Sequence, residues 1–302
     1  MTFNDWCNTW ISVWCSRLRP TTIASYRSIQ RLYLSPLLGA QRLDAVTSED
    51  IQTAIDLILD TGHGRTAELA FDVLRACFRR AVRARHLLYS PVDAVEPPKF
   101  DRRAVSAIPC DILPVFTREA VKQPLWPAFA LMLYAGLRRG EVIGLRWRDI
   151  DMAKRVIHVR QSVVSIDGHL QPGQTKSAAG CRDIPMIEPL PQILQQRRAA
   201  ALRAGCAGAD RPVIVSARSN GYITPSGLQS ALRRIQQRSP QLTDITLHAL
   251  RHTYATQMLA KGVNIKTLQY ILGHSNSRLT LDTYCSTCYN SVADDFARCG
   301  LA

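Results

Sequence analysis

Residues 136–141 read Gly136-Leu137-Arg138-Arg139-Gly140-Glu141, and residues 248–253 read His248-Ala249-Leu250-Arg251-His252-Thr253. The first stretch ends a strongly apolar run from Trp126 to Leu137, with Pro127 in its first turn, and apolar residues resume as far as Trp147. It therefore sits between helical segments. The second puts a histidine and an arginine three residues apart, on one helix face, where both side chains reach a single anionic group. On its own a His-x-x-Arg means little, because seven histidines and 32 arginines in 302 residues give roughly 0.7 such matches by chance. Its weight depends on its companions.

Working outward, the hydrophobic period changes after Trp147. Val156, His158 and Arg160 alternate with Ile157 and Val159, Ile166-Asp167-Gly168 offers a turn, and Arg182 to Met186 forms a further short strand. A small antiparallel sheet is expected there. Lys176 follows the hairpin and is the single lysine between Lys154 and Lys261. From Glu188 onward helices dominate, interrupted by a short strand at Val213 to Val215. Downstream come Leu272-Gly273-His274 and, ten residues after His274, Tyr284. No internal repeat or low-complexity tract is present.

The first hundred residues read as helices. Pro20-Thr21-Thr22 opens one carrying Ile23, Tyr26, Ile29 and Tyr33, and Thr47-Ser48-Glu49-Asp50 resembles a capping box ahead of Ile51, Ile55 and Ile58. A third spans Thr66 to Arg85, with Leu69, Phe71, Val73, Leu74 and Phe78 for packing and Arg75, Arg79, Arg80, Arg83 and Arg85 as a positive face. Arg75, Arg79 and Arg83 are the residues expected to lie along a DNA backbone. Ser90-Pro91 stops that helix, and paired prolines with charge from Val95 to Arg103 read as a linker. The expected organisation is a helical domain over 1–98, a linker over 99–107 and a second domain over 108–302.

The chain carries 38 basic and 24 acidic residues, a net charge of +14 and a pI near 9.7, which favours a polyanionic partner, nucleic acid ahead of membrane. Only six of the basic residues are lysine, and arginine forks suit bidentate contact with phosphates and guanines. Nine cysteines in odd number, scattered and without a leader sequence, argue against a disulfide framework and for a reducing, cytoplasmic setting. The pair Cys285-x-x-Cys288 lacks the second pair or clustered histidines a zinc site needs, so no metal site is expected. No apolar run reaches the ~18 residues of a membrane span. Few aromatics, 7%, and no stacking motif argue against an RNA-binding module.

Taken in order, Arg138, Lys176, His248-x-x-Arg251, His274 and Tyr284 resemble the signature of the tyrosine recombinases: arginine, lysine, His-x-x-Arg, histidine or tryptophan, then tyrosine. The resemblance is strongest from Leu133 to Tyr284. It extends to the stretch from Pro20 to Gly39, with Leu34-Ser35-Pro36-Leu37-Leu38-Gly39, which is similar to the helical, SAM-like core-binding domain of that family. The wording His248-Ala249-Leu250-Arg251-His252-Thr253 and Leu272-Gly273-His274-Ser275 looks more like the integrases of phages and mobile elements than the housekeeping resolving enzymes. The fold implied is mainly α with a small antiparallel β-sheet: a helical core-binding domain, then an α+β catalytic domain.

The resemblance also implies roles. Arg138 and Arg251 would clamp the scissile phosphate, since guanidinium forks neutralise charge building on its nonbridging oxygens. Tyr284 would attack phosphorus, forming a 3′-phosphotyrosyl link and releasing a 5′-hydroxyl, with no metal, ATP or other cofactor. Lys176 would be the general acid, His248 would assist proton transfer, and His274 would donate a hydrogen bond to the phosphate. Glu141 reads as a carboxylate orienting arginines or a histidine. Arg139 and Arg182 read as ordinary surface or DNA-backbone arginines, and His252 as a buried structural histidine. The family often has histidine two residues after the nucleophile, where this chain has Ser286. The implied partners are double-stranded DNA attachment sites, three further copies in a tetramer on DNA through the segment with Val292 and Phe296, and an accessory directionality factor. Many phage integrases carry an extra N-terminal arm-binding domain; this chain, if complete, is expected to bind core sites without gripping distant arm sites. The rival readings are a type IB topoisomerase and a catalytically idle DNA-binding regulator, which retention of Tyr284 disfavours.

Overall fold

The structure is a computed structural model that describes residues 1–101, 106–174, 180–216 and 219–273. It divides into two compact units, Met1–Arg103 and Ala104–Ala302, each with its own apolar core.

The first unit is all helical. Helix α1, Phe3–Thr9, is opened by a capping box between Thr2 and Asp5 and runs on as a wider π-type segment, Trp10–Trp14. Trp6, Trp10 and Trp14 recur every four residues, a helical spacing, and Trp6 and Trp10 are buried. This helix is an addition to those expected. Helix α2, Pro20–Ile29, likewise continues as a π-type segment, Gln30–Leu34, before the short α3, Ser35–Leu38. Helix α4, Ser48–Asp60, starts at the expected capping box: Thr47 Oγ1 accepts from Asp50 N at 3.1 Å while Asp50 Oδ2 accepts from Thr47 N at 2.9 Å. Helix α5, Gly64–Arg83, buries Phe71, Val73, Leu74 and Phe78 and exposes Arg75, Arg79 and Arg83 at four-residue spacing. Two of the five expected arginines leave that face. The Arg80 guanidinium lies 4.6 Å from the centroid of the Trp14 ring, and Arg85 falls past the helix end in a left-handed conformation, φ 61°.

In the second unit, α6, Leu113–Val121, and α7, Trp126–Ala135, lead into α8, Arg139–Gly144. Helix α7 is apolar all round, as a helix enclosed by its domain must be. It ends on Gly136 in the left-handed conformation, φ 63°. A Cβ at Gly136 would stand 2.6 Å from the Tyr254 ring, so only glycine fits both the turn and the close approach.

The expected small sheet is two. Strands β1, Ile150–Asp151, β2, Val156–Val159, and β5, Arg182–Pro185, form an antiparallel sheet in the order β1-β2-β5, with Ile157 opposite Ile184. Strands β3, Gln161–Ile166, and β4, His169–Gln174, form a separate hairpin. Its turn has positive φ at both Asp167 (49°) and Gly168 (81°), the geometry that matches strand twist. The chain leaves one sheet at Arg160, so the period-2 pattern runs through a change of partner. The strand expected at Val213 to Val215 is absent: this segment makes isolated bridges, Arg146 with Pro212 and Val215 with Tyr222. Val213 and Ile214 are buried by the core, which explains the misleading apolar run. Helices α9, Leu190–Arg203, α10, Pro225–Gln236, α11, Leu247–Ala260, and α12, Ile265–Leu272, complete the described residues.

Candidate active site

Four helix ends meet at one place: the end of α7, the starts of α8 and α11, and the end of α12. Arg138 caps α8 in an extended conformation, φ −72° and ψ 153°. Its backbone N–H donates to Glu141 Oε2 at 2.8 Å and its Nη1 to Glu141 Oε1 at 2.9 Å. Helix α11 begins at the cap Thr246, whose hydroxyl accepts from Ala249 N at 3.0 Å, and so presents His248 and Arg251 from its first turns on one face. Arg251 is buried and donates through Nη1 to Gly136 O at 2.7 Å and through Nη2 to Leu272 O at 2.6 Å. Arg138 Nη2 donates to Gly273 O at 2.8 Å.

A third arginine completes the cluster. Arg182, on β5, is fully buried, which corrects the surface position expected for it. It grips Glu141 with two parallel bonds, Nη1 to Oε1 at 3.0 Å and Nη2 to Oε2 at 2.8 Å, and donates to Gly180 O and, through Nε, to Ile271 O. The signal was available: Arg182 shares the inward face of its strand with Ile184, and an inward arginine demands a buried acid. The carbonyls of Ile271, Leu272 and Gly273 thus each accept from a different arginine. Helix ends leave these carbonyls without helical partners and carry partial negative charge, which suits cations.

The electrostatics follow from this packing. Burial raises the Glu141 pKa, but Arg182, by hydrogen bond and by charge, with Arg138, outweighs it and holds the carboxylate below its ordinary range. His248 keeps a solvent-exposed side, yet its packing lowers its pKa, and the Arg251 and Arg138 charges lower it further. It is neutral at pH 7, able to accept a proton. His252 is buried, with its ring edge-on to His248 at a centroid separation of 4.6 Å. Burial first, then the charges of His248 and Arg251, bring its pKa from 6.5 to about 4.

That depression sets a stability window. The folded-state pKa lies below the unfolded value, so the unfolded chain binds the proton more readily. His252 is neutral at no cost above about pH 6.5, and stability is lost as pH falls from there through about 4. Between pH 7 and 4.5 this histidine should cost the second unit about 2–3 kcal/mol. Urea unfolding of wild type and His252→Phe at both pH values checks this. The loss on acidification should be smaller by that amount in the variant, and equal losses would remove His252 as the cause.

The structure therefore brings together Arg138, Glu141, His248 and Arg251 and adds Arg182. Lys176, His274 and Tyr284 lie outside the described residues, as do Cys285, Cys288, Val292 and Phe296. Arg75, Arg79 and Arg83 belong to the other unit. Arg139 lies at the start of α8 and is not one of the three arginines that meet the end of α12. Among the described residues no group of three or more His, Cys, Asp or Glu side chains could hold a metal, and no helix is long and apolar enough to cross a membrane.

The profile of the Phage integrase family matches residues 116–290, and that of the phage integrase N-terminal SAM-like domain matches residues 2–58. The chain belongs to the phage integrase family. Its enzyme class is that of the tyrosine-type site-specific recombinases. A tyrosine recombinase XerC-like protein of Caldanaerobacter subterraneus subsp. tengcongensis is 26% identical over 94% of this chain and 79% of its own length. The transposase from transposon Tn916 of Enterococcus faecalis is 23% identical over 93% of this chain and 73% of its own. In fold, the chain is similar to the Tn1549 transposon integrase solved with transposon right end DNA, with a TM-score of 0.80, 22% identity and 99% of both chains covered. It is also similar to a lambda integrase dimer bound to a core site, with a TM-score of 0.69, 21% identity, and coverage of 94% of this chain and 77% of that one.

Proposed function

We propose that this chain cuts and rejoins double-stranded DNA at attachment sites by conservative recombination, through a 3′-phosphotyrosyl link on Tyr284, and so integrates or excises a mobile element. One observation carries the reading: two guanidinium forks from distant parts of the chain, Arg138 and Arg251, are braced beside a neutral histidine on the carbonyls that end α12. Such forks stabilise charge on the nonbridging oxygens of a phosphodiester under attack. Glu141 holds the Arg138 fork, and Arg182 holds Glu141. His248, neutral at pH 7, takes the proton of the attacking Tyr284 hydroxyl. Lys176 protonates the departing 5′-oxygen, a poor leaving group otherwise. The ester formed on Tyr284 keeps the bond energy for rejoining, so no nucleotide cofactor or metal enters the cycle.

Arg75, Arg79 and Arg83 on α5 supply phosphate contacts from the first unit. Four copies assemble on two sites, and an accessory factor sets direction. The DNA-bound and tetrameric integrases that share this fold support that assembly.

Wild type and Tyr284→Phe, in EDTA, are incubated with supercoiled DNA bearing candidate attachment sequences and then denatured. A covalent protein–DNA adduct from wild type alone, with recombined products, is expected. Adducts from both proteins would move the nucleophile. Relaxed circles without exchange would favour the topoisomerase reading, and no adduct on bound DNA the idle regulator.

A further inference from the structure

Arg138 reaches its place through α8, and α8 rests on β3 more closely than side chains allow. A Cβ on Gly140 would stand 2.4 Å from Ser162 Oγ and 2.8 Å from Val163 O. The second of these is backbone, on a strand paired along its length with β4. One turn on, a Cβ on Gly144 would come within 3.3 Å of Gln161 O and Val163 N. Two glycines four apart thus bring the helix backbone against the strand backbone. The far end of α8 is pinned as well. Gln161 Nε2 donates to Gly144 O at 2.7 Å and to Tyr222 Oη at 3.2 Å. Helix-end carbonyls have no helical partner, so this bond fixes where α8 stops.

Gly140 lies between Arg138 and Glu141 in the first turn, so whatever moves Gly140 moves the backbone that aims the Arg138 fork. We propose that the β3 seat, made of Gly140 and Gly144 on α8 and of Gln161 on the hairpin, is a positioning device for Arg138 in phosphate clamping. None of these residues touches the reacting atoms. The proposal rests on the reading of Arg138 as a phosphate clamp.

The prediction separates positioning from folding. A misplacement of about 1 Å in a group that meets the transition state costs about 10²-fold in rate. Alanine at Gly140 must push the first turn of α8 off β3 by several tenths of an ångström, and leucine at Gln161 removes the bond to Gly144 O that pins its other end. The test measures single-turnover cleavage of two half-site suicide duplexes. One has an ordinary scissile phosphodiester, and the other a methylphosphonate, which lacks the charge a clamp neutralises. Wild type, Gly140→Ala, Gln161→Leu and Arg138→Ala are compared, with melting temperatures recorded for each. On the diester, Gly140→Ala and Gln161→Leu should lose about tenfold or more, and Arg138→Ala more still. On the methylphosphonate, all three should return to within about threefold of wild type.

Equal losses by the seat variants on both substrates, with Arg138→Ala recovering, would overturn the seat while leaving the clamp intact. Wild-type rates for both seat variants would overturn it too. Failure of Arg138→Ala itself to recover would sink the clamp reading, and the seat's purpose with it. If Gly140→Ala does not fold, Gln161→Leu carries the comparison alone.

Discussion

Glu141→Ala should cost the second unit about 3–5 kcal/mol of stability, because it leaves the fully buried Arg182 guanidinium facing two lost hydrogen bonds and no counter-charge. An exposed ion pair would give a small fraction of this. Here water has no access to either partner, so the desolvated cation bears the whole penalty. The loss should show as a fall in urea midpoint with an unchanged slope. A companion pair of variants separates structure from chemistry. Combining Glu141→Gln with Arg182→Met removes the buried charges as a set and should recover most of the stability. It should not recover DNA cleavage, since an amide in place of the Glu141 carboxylate would hold Arg138 without charge. Full stability in Glu141→Ala would show that Arg182 finds another partner and that the pair is not a brace. The depressed Glu141 pKa carries the same dependence into pH: its contribution is present above the ordinary carboxylate range and lost on acidification through its lowered value.

For Arg251→Lys, cleavage should fall by about 10²–10³-fold while affinity for site DNA changes little. Lysine keeps the positive charge, so long-range attraction to the duplex survives. It does not keep the fork. Arg251 spans Gly136 O and Leu272 O, 2.7 and 2.6 Å away, with two separate nitrogens. A single ammonium meets one of them and leaves the other carbonyl unsatisfied, and in the proposed clamp it would present a point charge in place of a planar pair of N–H groups. Adduct formation on a suicide duplex and binding by gel shift, on the same preparation, read the two quantities. A proportional fall in both would make Arg251 a DNA-binding residue and not a transition-state clamp.

Much of this site was legible because its parts sit at element ends that leave marks in the sequence. The run from Trp126 to Leu137 contains a glycine that marks the stop of α7, and His248 and Arg251 share a face because their spacing is helical. The Thr47 box placed α4 at its observed start. What stayed hidden depended on pairing in three dimensions. Nothing in Val156 to Gln174 shows that the chain changes sheet at Arg160, since both strands keep the same alternation. Arg182 shares the parity of Ile184 along its strand, which marks it as inward, but its acid partner Glu141 comes into view only with the fold. Arg80 matched the spacing of a basic face but is drawn to Trp14, a contact between distant parts of the chain that no periodicity reveals. The clustering of three arginines on the last carbonyls of α12 depends on the approach of elements equally far apart in sequence.

That clustering has an energetic consequence. Arg138, Arg182 and Arg251 against Glu141 leave an excess of two positive charges among these four side chains, set against the partial negative charge at the ends of α7 and α12. Mutual repulsion among them is a standing strain on the fold. In the proposed function a phosphate entering the cluster would relieve it, so the substrate would stabilise the protein that cuts it by an amount that grows with the logarithm of its concentration above Kd. The duplex would then complete the charge balance of the fold that cuts it.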